Sequence, residues 1–413
     1  MSESKPNVPK LRFPGFTDPW EQRKLGEVAR RVTRKNSGLE SDLPLTISAQ
    51  YGLVDQRSFF NRQVASKDLS GYYLLRRGEF AYNKSTSSDS PWGAVKRLTA
   101  YDKGCVSTLY ICFEPFGVDA DWLCVYYETE YWHRGVSAIA TEGARNHGLL
   151  NVSPADFFQT SIAIPQSKAE QRLIGAFFRE LDDLIALHQR KLDHLKLQKR
   201  GLLQKMFPKN GANVPEVRFP GFTDPWEQRK LGEICSFSKG RGYSKDDLRE
   251  SGTPIILYGR LYTQYETRIK EVDTFATEGY GSMFSVGNEV IVPASGETAE
   301  DIAVASSVRS AGIILGGDLN IVRPDRRVDQ DFLALGITYG RTHRELSKRA
   351  QGKSVVHLHG TDIAEVDFAF PSREEQSAIA SAILAFDDLI ALHQRKLDHL
   401  KLQKKALLQQ MFV

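Results

Sequence analysis

The sequence predicts a mixed α and β protein, organised as a tandem repeat with pseudo-twofold symmetry. Two unlike globular heads are expected, separated by two long helices that pair antiparallel as a coiled coil. Three observations support this fold class. Two segments recur unchanged about half a chain apart, the residues between them differ, and each repeat ends in a long helix with a regular apolar seam.

The repeated segments are identical at every position. Residues 12–27, RFPGFTDPWEQRKLGE, recur at 218–233, and residues 182–199, DDLIALHQRKLDHLKLQK, recur at 387–404. Between these segments the two halves share almost no identity that the eye can align. A duplication kept for stability alone would be expected to drift everywhere. Alternatively, an exchange between related genes replaced the residues between the repeated segments, which works only if those residues form an interchangeable module. Either history indicates two modular heads. We call the repeated segments before and after each head the frame.

Apolar residues near the end of each repeat follow alternating steps of four and three, which is the pattern of a coiled-coil seam. In the first repeat the seam residues are Ile174, Phe178, Leu181, Ile185, Leu192, Leu195 and Leu202. In the second repeat they are Ile379, Ile383, Phe386, Ile390, Leu397, Leu400 and Leu407. The seams are interrupted by His188, Lys199, His393 and Lys404, and we interpret the two histidines as polar residues tolerated there.

Charge predicts how the two helices pair. Each helix is acidic in its first half and basic in its second half. Antiparallel pairing sets acid against base along the whole length, whereas parallel pairing would place like charges together. Because an exposed ion pair contributes only about 0–1 kcal/mol, charge selects the orientation while the apolar seam supplies most of the stability.

Composition excludes several protein classes. The chain has 413 residues, a net charge of +4 and no apolar run near the roughly 18 residues that a membrane span needs. The start of the chain is polar, so we expect a cytoplasmic protein without a membrane partner. The four cysteines, Cys105, Cys112, Cys124 and Cys235, fit neither a zinc site nor a disulfide framework. We expect free thiols and no metal.

The duplicated frame carries motifs that identify a family. Before each head stand Trp20, Leu25, Gly26 and Glu27, and their copies Trp226, Leu231, Gly232 and Glu233. At each helix entry stand Pro165, Glu170 and Gln171, matched by Pro371, Glu375 and Gln376. With these motifs, nearly the full chain resembles the specificity subunit of type I restriction-modification enzymes.

This resemblance implies a non-catalytic, DNA-binding role. Each head would be a target-recognition domain that reads one half of a bipartite double-stranded DNA target. The helices would set the number of unread base pairs and dock two methyltransferase subunits, and two restriction and translocase subunits would join that core. S-adenosylmethionine, ATP and Mg would be bound by those partners, with no cofactor on this chain. A helix over 170–207 would be roughly 55 Å long, or about 16 base pairs.

The expected domains follow from the repeat. Residues 1–162 would form an N-terminal arm and the first recognition domain, and residues 163–208 the first spacer helix. Residues 209–368 would form a linker and the second recognition domain, and residues 369–413 the second spacer helix.

Within the heads, short strands and helices are expected together. The predicted strands are 45–48, 106–113, 254–258 and 289–292, the predicted helices are 120–133 and 330–338, and a further helix start is predicted at 18–21.

Polar, turn-rich loops are the candidates for reading bases, because base edges are read by forked or bidentate polar groups. In the first head the candidate DNA-binding residues are Lys84, Ser85, Thr86, Arg145, Asn146 and His147. In the second head they are Tyr258, Arg260, Ser295, Glu297, Gln351, Lys353 and Ser354. Each loop is equally interpretable as an ordinary surface turn.

Catalytic motifs are missing from the sequence. Gly352-Lys353-Ser354 has the end of a phosphate-binding loop, but the required first glycine is replaced by Ser347. No methyltransferase tetrad, dinucleotide fingerprint or carboxylate cluster for a nuclease is apparent. Two alternatives stay open, a self-contained restriction or modification enzyme and a coiled-coil scaffold that binds no DNA.

Overall fold

The structure is a computed structural model that describes residues 7–48, 51–61, 64–88, 90–140, 148–209, 212–352 and 355–413. The chain divides into two units. The first comprises Met1–Leu187 with Lys396–Val413, and the second comprises His188–Arg395. Each unit mixes helices with short strands, which confirms the predicted fold class.

The first unit contains ten strands, four short α-helices and a 3-10 helix at Leu25–Glu27, and the first long helix begins in it. In chain order these are β1 Glu21–Lys24, β2 Ala29–Val32, β3 Leu45–Ser48, β4 Gly52–Asp55, α1 Gln56–Phe60, β5 Tyr73–Arg76, β6 Phe80–Asn83, β7 Ala94–Arg97, β8 Lys103–Val106, β9 Ile111–Pro115, α2 Ala120–Tyr126, α3 Tyr131–Ile139, α4 Pro154–Phe158, β10 Ser161–Ile164 and α5 Lys168–Lys205. The count covers the described ranges only.

The central sheet of the first unit has the strand order β2-β9-β6-β7, and all of its pairs are antiparallel. Its core is rich in aromatic rings, and the fully buried rings include those of Phe80, Phe113 and Trp122. The strand β1, which lies in the repeated segment, pairs outside this sheet with β10. The repeated frame therefore forms its own small ribbon beside the head.

The second unit contains the remaining elements. They are β11 Glu227–Lys230, α6 Leu231–Ile234, β12 Cys235–Lys239, β13 Leu248–Arg249, β14 Thr253–Ile256, α7 Arg260–Thr263, β15 Arg268–Ile269, β16 Phe275–Ala276, β17 Phe284–Val286, β18 Glu289–Pro293, β19 Ser295–Gly296, β20 Ser306–Val308, β21 Ala311–Leu315, β22 Leu319–Pro324, α8 Gln330–Tyr339, α9 Arg341–Arg349, β23 Val356–His357, α10 Gly360–Ala364, β24 Asp367–Phe370 and α11 Arg373–Met411.

Two five-stranded sheets form the second head, with the orders β12-β22-β18-β20-β15 and β13-β16-β14-β21-β17. The helix α8 packs on the first of them, and nearly all of its residues are buried. The frame ribbon is again present, because β11 pairs with β24 as β1 pairs with β10. The two heads thus differ in their sheets and share their attachment.

Both long helices contribute to both units, and within each unit they run antiparallel. In the first unit Lys404 Nζ lies 2.5 Å from Asp182, and further along the pair the rings of Phe178 and Phe412 have centroids 6.3 Å apart. As the residue number rises on one helix, it therefore falls on the other. The antiparallel prediction is confirmed in this unit.

The second unit gives the same direction. His188 and His393 meet with their Nδ1 atoms 3.0 Å apart, and Lys199 Nζ lies 2.5 Å from Asp387. All predicted seam residues are buried or half-buried, and none is exposed. The histidines lie between the helices, as expected of polar seam residues.

Several sequence-based expectations for the heads are confirmed. The strand at 45–48 is β3, the strand at 289–292 is β18, and the helix at 330–338 is α8. Helix α8 begins where the sequence supplies a cap, because the Asp329 carboxylate accepts hydrogen bonds from the backbone N–H groups of Asp331 and Phe332.

Other expectations are wrong in their boundaries. A turn at 107–110 splits the predicted strand 106–113 into β8 and β9, and residues 127–130 interrupt the predicted helix 120–133. The strand predicted at 254–258 ends at Ile256, because a turn follows in which Arg260 N donates to Leu257 O. These interruptions are local hydrogen-bonded turns, which hydrophobic pattern alone does not reveal.

The predicted helix start at 18–21 is also wrong. Trp20 is 2% exposed, and its backbone N–H donates to the carbonyl of Asn7. From Glu21 the chain continues as the strand β1. Burial of the indole and pairing with β10 outweigh the weak local capping signal.

No helix in the described ranges has both the length and the apolar character required to cross a membrane.

Candidate nucleic-acid interface

A buried ion pair fastens the arm before each head to the helix that follows the head. Arg12 donates from Nε and Nη2 to the Glu170 carboxylate at 2.8 and 2.7 Å. Arg218 and Glu375 repeat this fork at 2.8 and 2.6 Å. The carboxylate side chains are only 2% and 1% exposed. A buried charge is tolerated when it is paired and hydrogen-bonded, which explains why the frame keeps both partners.

The glutamine beside each of these glutamates holds the head itself. Gln171 Oε1 accepts a hydrogen bond of 2.8 Å from the backbone N–H of Asp119, and Gln376 Oε1 accepts one of 2.7 Å from Asp329. Each amide group also donates to the carbonyl of the proline before its long helix. Since Asp119 and Asp329 cap α2 and α8, each long helix fixes the start of one head helix.

The first head places its candidate residues on a strand end and the loop that follows it. Lys84 is half-buried and donates to the carbonyl of Val152, and burial lowers the pKa of its ammonium group. Ser85 is exposed, and the backbone N–H of Thr86 donates to the carbonyl of Gly148 at 2.8 Å. The other candidates, Arg145, Asn146 and His147, lie outside the described residues.

In the second head four candidates line one cleft of about 1620 Å³, namely Tyr258, Arg260, Ser295 and Glu297. Gln351 lies next to it, because its backbone pairs with His357, whose ring contacts Ser295 Oγ at 3.1 Å. Lys353 and Ser354 lie outside the described residues. The structure therefore brings together loops that are far apart in the sequence.

The four candidate residues in the cleft differ in how accessible their side chains are to a ligand. The guanidinium of Arg260 is 10% exposed and forms ion pairs with Glu266 and Asp273, so both of its terminal nitrogens are engaged within the protein. Ser295 is buried, whereas Tyr258 and Glu297 are exposed. Of the four, Tyr258 and Glu297 are the ones whose side chains a ligand can reach directly.

Acidic side chains dominate the walls of this cleft. They are Asp247, Asp273, Glu297, Glu300, Asp301 and Asp318, against Lys245, Arg260 and His343. Such walls repel phosphate but offer acceptors to amino groups, and the exocyclic amine of cytosine is a donor in the major groove. The cleft thus offers more acceptors for amino groups than donors for phosphate.

The described ranges hold no group of three or more metal-binding side chains. All four cysteines are unpaired, as expected. Burial raises the pKa of Cys112, Cys124 and Cys235 to about 12, so these thiols stay protonated near neutral pH.

Comparison with known proteins shows which proteins this chain is similar to. Residues 223–402 match the family model described as the type I restriction modification DNA specificity domain. The type I restriction enzyme MjaVIII specificity subunit of Methanocaldococcus jannaschii is 20% identical over 322 residues, which cover 74% of this chain and 73% of that protein. Residues 223–402 therefore belong to this domain family, and the chain as a whole is similar to specificity subunits of type I restriction-modification systems.

Solved structures share the fold of this chain. The type I restriction-modification S subunit from M. genitalium is 14% identical in sequence and has a TM-score of 0.62. The alignment covers 98% of this chain and 99% of that subunit. A chain from a study of complex assembly and conformational transition of a type I R-M system is 17% identical, covers 95% of this chain and 97% of its own, and has a TM-score of 0.50. Because both sequence identities are low, the similarity to these two structures shows a shared fold and nothing further.

The sequence analysis did not predict one pair of equivalent aspartates, which the structure places at the start of a helix in each head. The segment VDADWL at 118–123 and the segment VDQDFL at 328–333 share four residues at an offset of 210, although the surrounding residues differ. Both segments start the helix that the glutamine of the frame holds. This short match was the available signal, and its offset of 210 differs by four and five residues from the offsets of the two long repeats, 206 and 205.

The second aspartate of each segment binds arginines. Asp121 accepts from Arg97 at 2.7 Å and from Arg179 of α5 at 2.6 Å. Asp331 is 1% exposed and accepts from Arg268 and Arg309. Burial raises the pKa of Asp331, but the hydrogen bonds from these arginines outweigh it and hold the pKa below its usual range. Both heads are therefore braced at the start of the held helix.

Proposed function

We propose that this chain is the specificity subunit of a type I restriction-modification complex, which binds double-stranded DNA in a sequence-specific way and performs no catalysis itself. Each head reads one half of a bipartite target. The observation that carries this proposal is the pair of unlike heads fastened through identical joints, because identical attachment with different contents suits two readers of different sequences. The exposed Tyr258 and Glu297 in the cleft of the second head are the side chains we assign to base contact there.

The long helices set the distance between the two half-sites. Supporting this role, α5 has 38 residues and α11 has 39, and both are unbroken. At 1.5 Å per residue each is roughly 57 Å long. Antiparallel pairing within each unit keeps the two helices in one register, so their length is not free to vary.

The helices also dock the partner subunits. Leu184, Leu187 and Leu197 of α5 are exposed. Their repeat equivalents on α11 are exposed as well, namely Leu389, Leu392 and Leu402. Exposed apolar groups indicate interaction sites, and two equivalent sets suit two copies of one partner. We assign these sets to two methyltransferase subunits. Two restriction and translocase subunits complete the assembly, in which S-adenosylmethionine, ATP and Mg are bound by the partners.

DNA binding by the full chain is expected to weaken steeply with salt. A protein that neutralises six to ten phosphates loses about 10³- to 10⁵-fold in affinity between about 50 and 200 mM salt, and the loss is linear on a log–log scale. Fluorescence anisotropy with a labelled duplex measures this slope. An absence of DNA binding at every salt concentration would favour the scaffold alternative, and methylation or cleavage of DNA by the purified chain alone would favour the enzyme alternative.

Lengthening both long helices by one matched heptad is expected to widen the gap in the target. One heptad adds about 10 Å of helix, or about three base pairs, and leaves the seam in register. Genome-wide mapping of methylated adenines in a host that carries the variant reads the gap directly. A seven-residue replacement of equal length at the same position is the control. An unchanged gap in the lengthened variant contradicts the spacing role.

A further inference from the structure

The second head presents a single aromatic ring at the tip of a tight turn. Tyr280 lies in the turn 279–282 between β16 and β17, and its exposed fraction of 111% exceeds that of the extended reference state. It is flanked by Gly279 and Gly281, neither of which has a side chain to cover the ring. Full exposure of such a large ring has no benefit for folding, since burial of an aromatic ring stabilises a protein.

The turn that carries this ring is held firmly. The backbone N–H of Gly279 donates to Tyr243 Oη at 2.6 Å, and Ser282 Oγ donates to the carbonyl of Gly279 at 2.7 Å. Tyr243 Oη also contacts Ser282 Oγ at 2.6 Å. Tyr243 itself adopts a left-handed backbone conformation with φ of 55°, which is uncommon for a bulky residue. Such local strain concentrates at functional sites.

A positive charge lies next to the turn. A Cβ placed on Gly281 would be 3.4 Å from Nη1 of Arg241, so the exposed Arg241 guanidinium lies directly beside the backbone below Tyr280. The exposed Lys245 follows four residues later. An aromatic ring beside a guanidinium is a combination suited to nucleic acid, since the ring stacks on bases and the guanidinium binds phosphate.

The turn also borders the cleft that contains the predicted base contacts. Tyr243, which holds the turn, lines this cleft together with Tyr258 and Glu297. The turn is therefore joined to the wall of the cleft through the side chain of Tyr243. The cleft walls are acidic, and Arg241 beside the turn supplies a positive charge that most of the cleft wall lacks.

We propose that Tyr280 is a DNA wedge. Its ring inserts beside a base pair of the half-site read by the second head, while Arg241 contacts the adjacent phosphate. This inference rests on the proposed function and adds a named residue to it. Inserted side chains unstack a base step and bend the duplex, at an energy that depends on the sequence of that step. Tyr280 thus contributes specificity at a step where it makes no hydrogen bond.

A protein partner is the competing candidate for this ring. Protein interfaces place their anchoring aromatic residues within a surrounding apolar patch that excludes water. Along the chain Tyr280 stands between two glycines, and the guanidinium of Arg241 lies beside the turn, so the residues that flank the ring in sequence supply no apolar patch. The surroundings of the ring therefore favour DNA.

The test uses the full chain and a labelled duplex that carries the target obtained by methylation mapping. Tyr280→Ala is expected to weaken the Kd by about 10-fold, and Tyr280→Phe is expected to keep the wild-type Kd because the ring is retained. Val286→Ala is the matched control, because Val286 is also exposed on this head, with an exposed fraction of 66%, and lies outside the proposed contact. Folding is expected to be unaffected, since the ring of Tyr280 is fully exposed.

A second measurement reports on unstacking. With 2-aminopurine placed at successive positions of the second half-site, the wild-type chain should raise the fluorescence at one step, and Tyr280→Ala should abolish that rise. Arg241→Gln should weaken binding to all sequences alike and reduce the salt slope by about one.

The outcomes separate the two proposals. If the wild-type chain binds no DNA, the proposed function fails and this inference fails with it. If the wild-type chain binds with a steep salt dependence but Tyr280→Ala keeps both its Kd and its fluorescence rise, only the wedge is overturned. Loss of methyltransferase-subunit binding by Tyr280→Ala with unchanged DNA binding would instead assign the ring to a protein contact and overturn the inference.

Discussion

The variant Glu375→Gln is expected to lower the free energy of unfolding of the second unit by about 3–5 kcal/mol, because breaking a buried ion pair leaves an uncompensated buried charge. Arg218, the partner, has a side chain that is only 11% exposed. Glutamine fills the same volume but supplies one acceptor oxygen where the carboxylate supplies two. Urea titration of the full chain, followed by a probe in the second unit, measures the loss.

The control for this variant is Glu227→Gln. Glu227 and Arg229 also form an ion pair in the frame, but their side chains are 48% and 50% exposed. An exposed pair contributes about 0–1 kcal/mol, so the control should be nearly neutral. Equal losses for the two variants would contradict a special role for the joint. We also expect Glu375→Gln to impair recognition of the second half-site while that of the first is retained, because Glu170 still holds the first head.

Phe412→Ala is expected to destabilise the first unit by about 3–5 kcal/mol, the usual cost of truncating a buried phenylalanine. The ring of Phe412 is 2% exposed, and its centroid lies 5.6 Å from that of Trp20, 6.0 Å from that of Trp122 and 6.3 Å from that of Phe178. Tryptophan fluorescence reports the unfolding of this cluster directly, since two of the four rings are indoles.

Two further variants serve as comparisons for Phe412→Ala. Leu402→Ala removes an exposed side chain of the same helix, with an exposed fraction of 67%, and should change stability by less than about 0.5 kcal/mol. Phe207→Ala makes the equivalent change in the second unit, where the ring lies 5.5 Å from Phe332 and 6.1 Å from Trp226. If Phe412→Ala is as mild as Leu402→Ala, the ring does not belong to the core of the first unit.

The frame was predictable from the sequence because its signals are long and repeated. The helix seam continues through several heptads in each copy, and an apolar period sustained over that length is typical of a coiled coil. Charge then gave the antiparallel direction, which the contact of Lys199 with Asp387 confirms. Errors arose where the signal was a few residues long. At 18–21 a possible helix cap was outweighed by the burial of Trp20.

The binding surface was less predictable, because the loops that form it meet only in three dimensions. Tyr258 and Glu297 are 39 positions apart and line the same cleft, and their sequence neighbours give no sign of it. Arg260 matches the residue type of a base reader, yet Glu266 and Asp273 occupy its guanidinium. Tyr280 was not predicted at all, because its exposure and the hydrogen bonds from Tyr243 depend on a turn whose geometry is tertiary.

The packing of Phe412 has a consequence for how the chain matures during translation. Residues 188–395 form one contiguous unit, so they have all their partners as soon as they leave the ribosome. The other unit needs Met411 and Phe412, which are made about 220 residues after its own Leu187. Domains usually fold in the order of synthesis. We expect that order to be reversed here, because Trp20 and Trp122 lack their contacts with Phe412 until the end of α11 has been made.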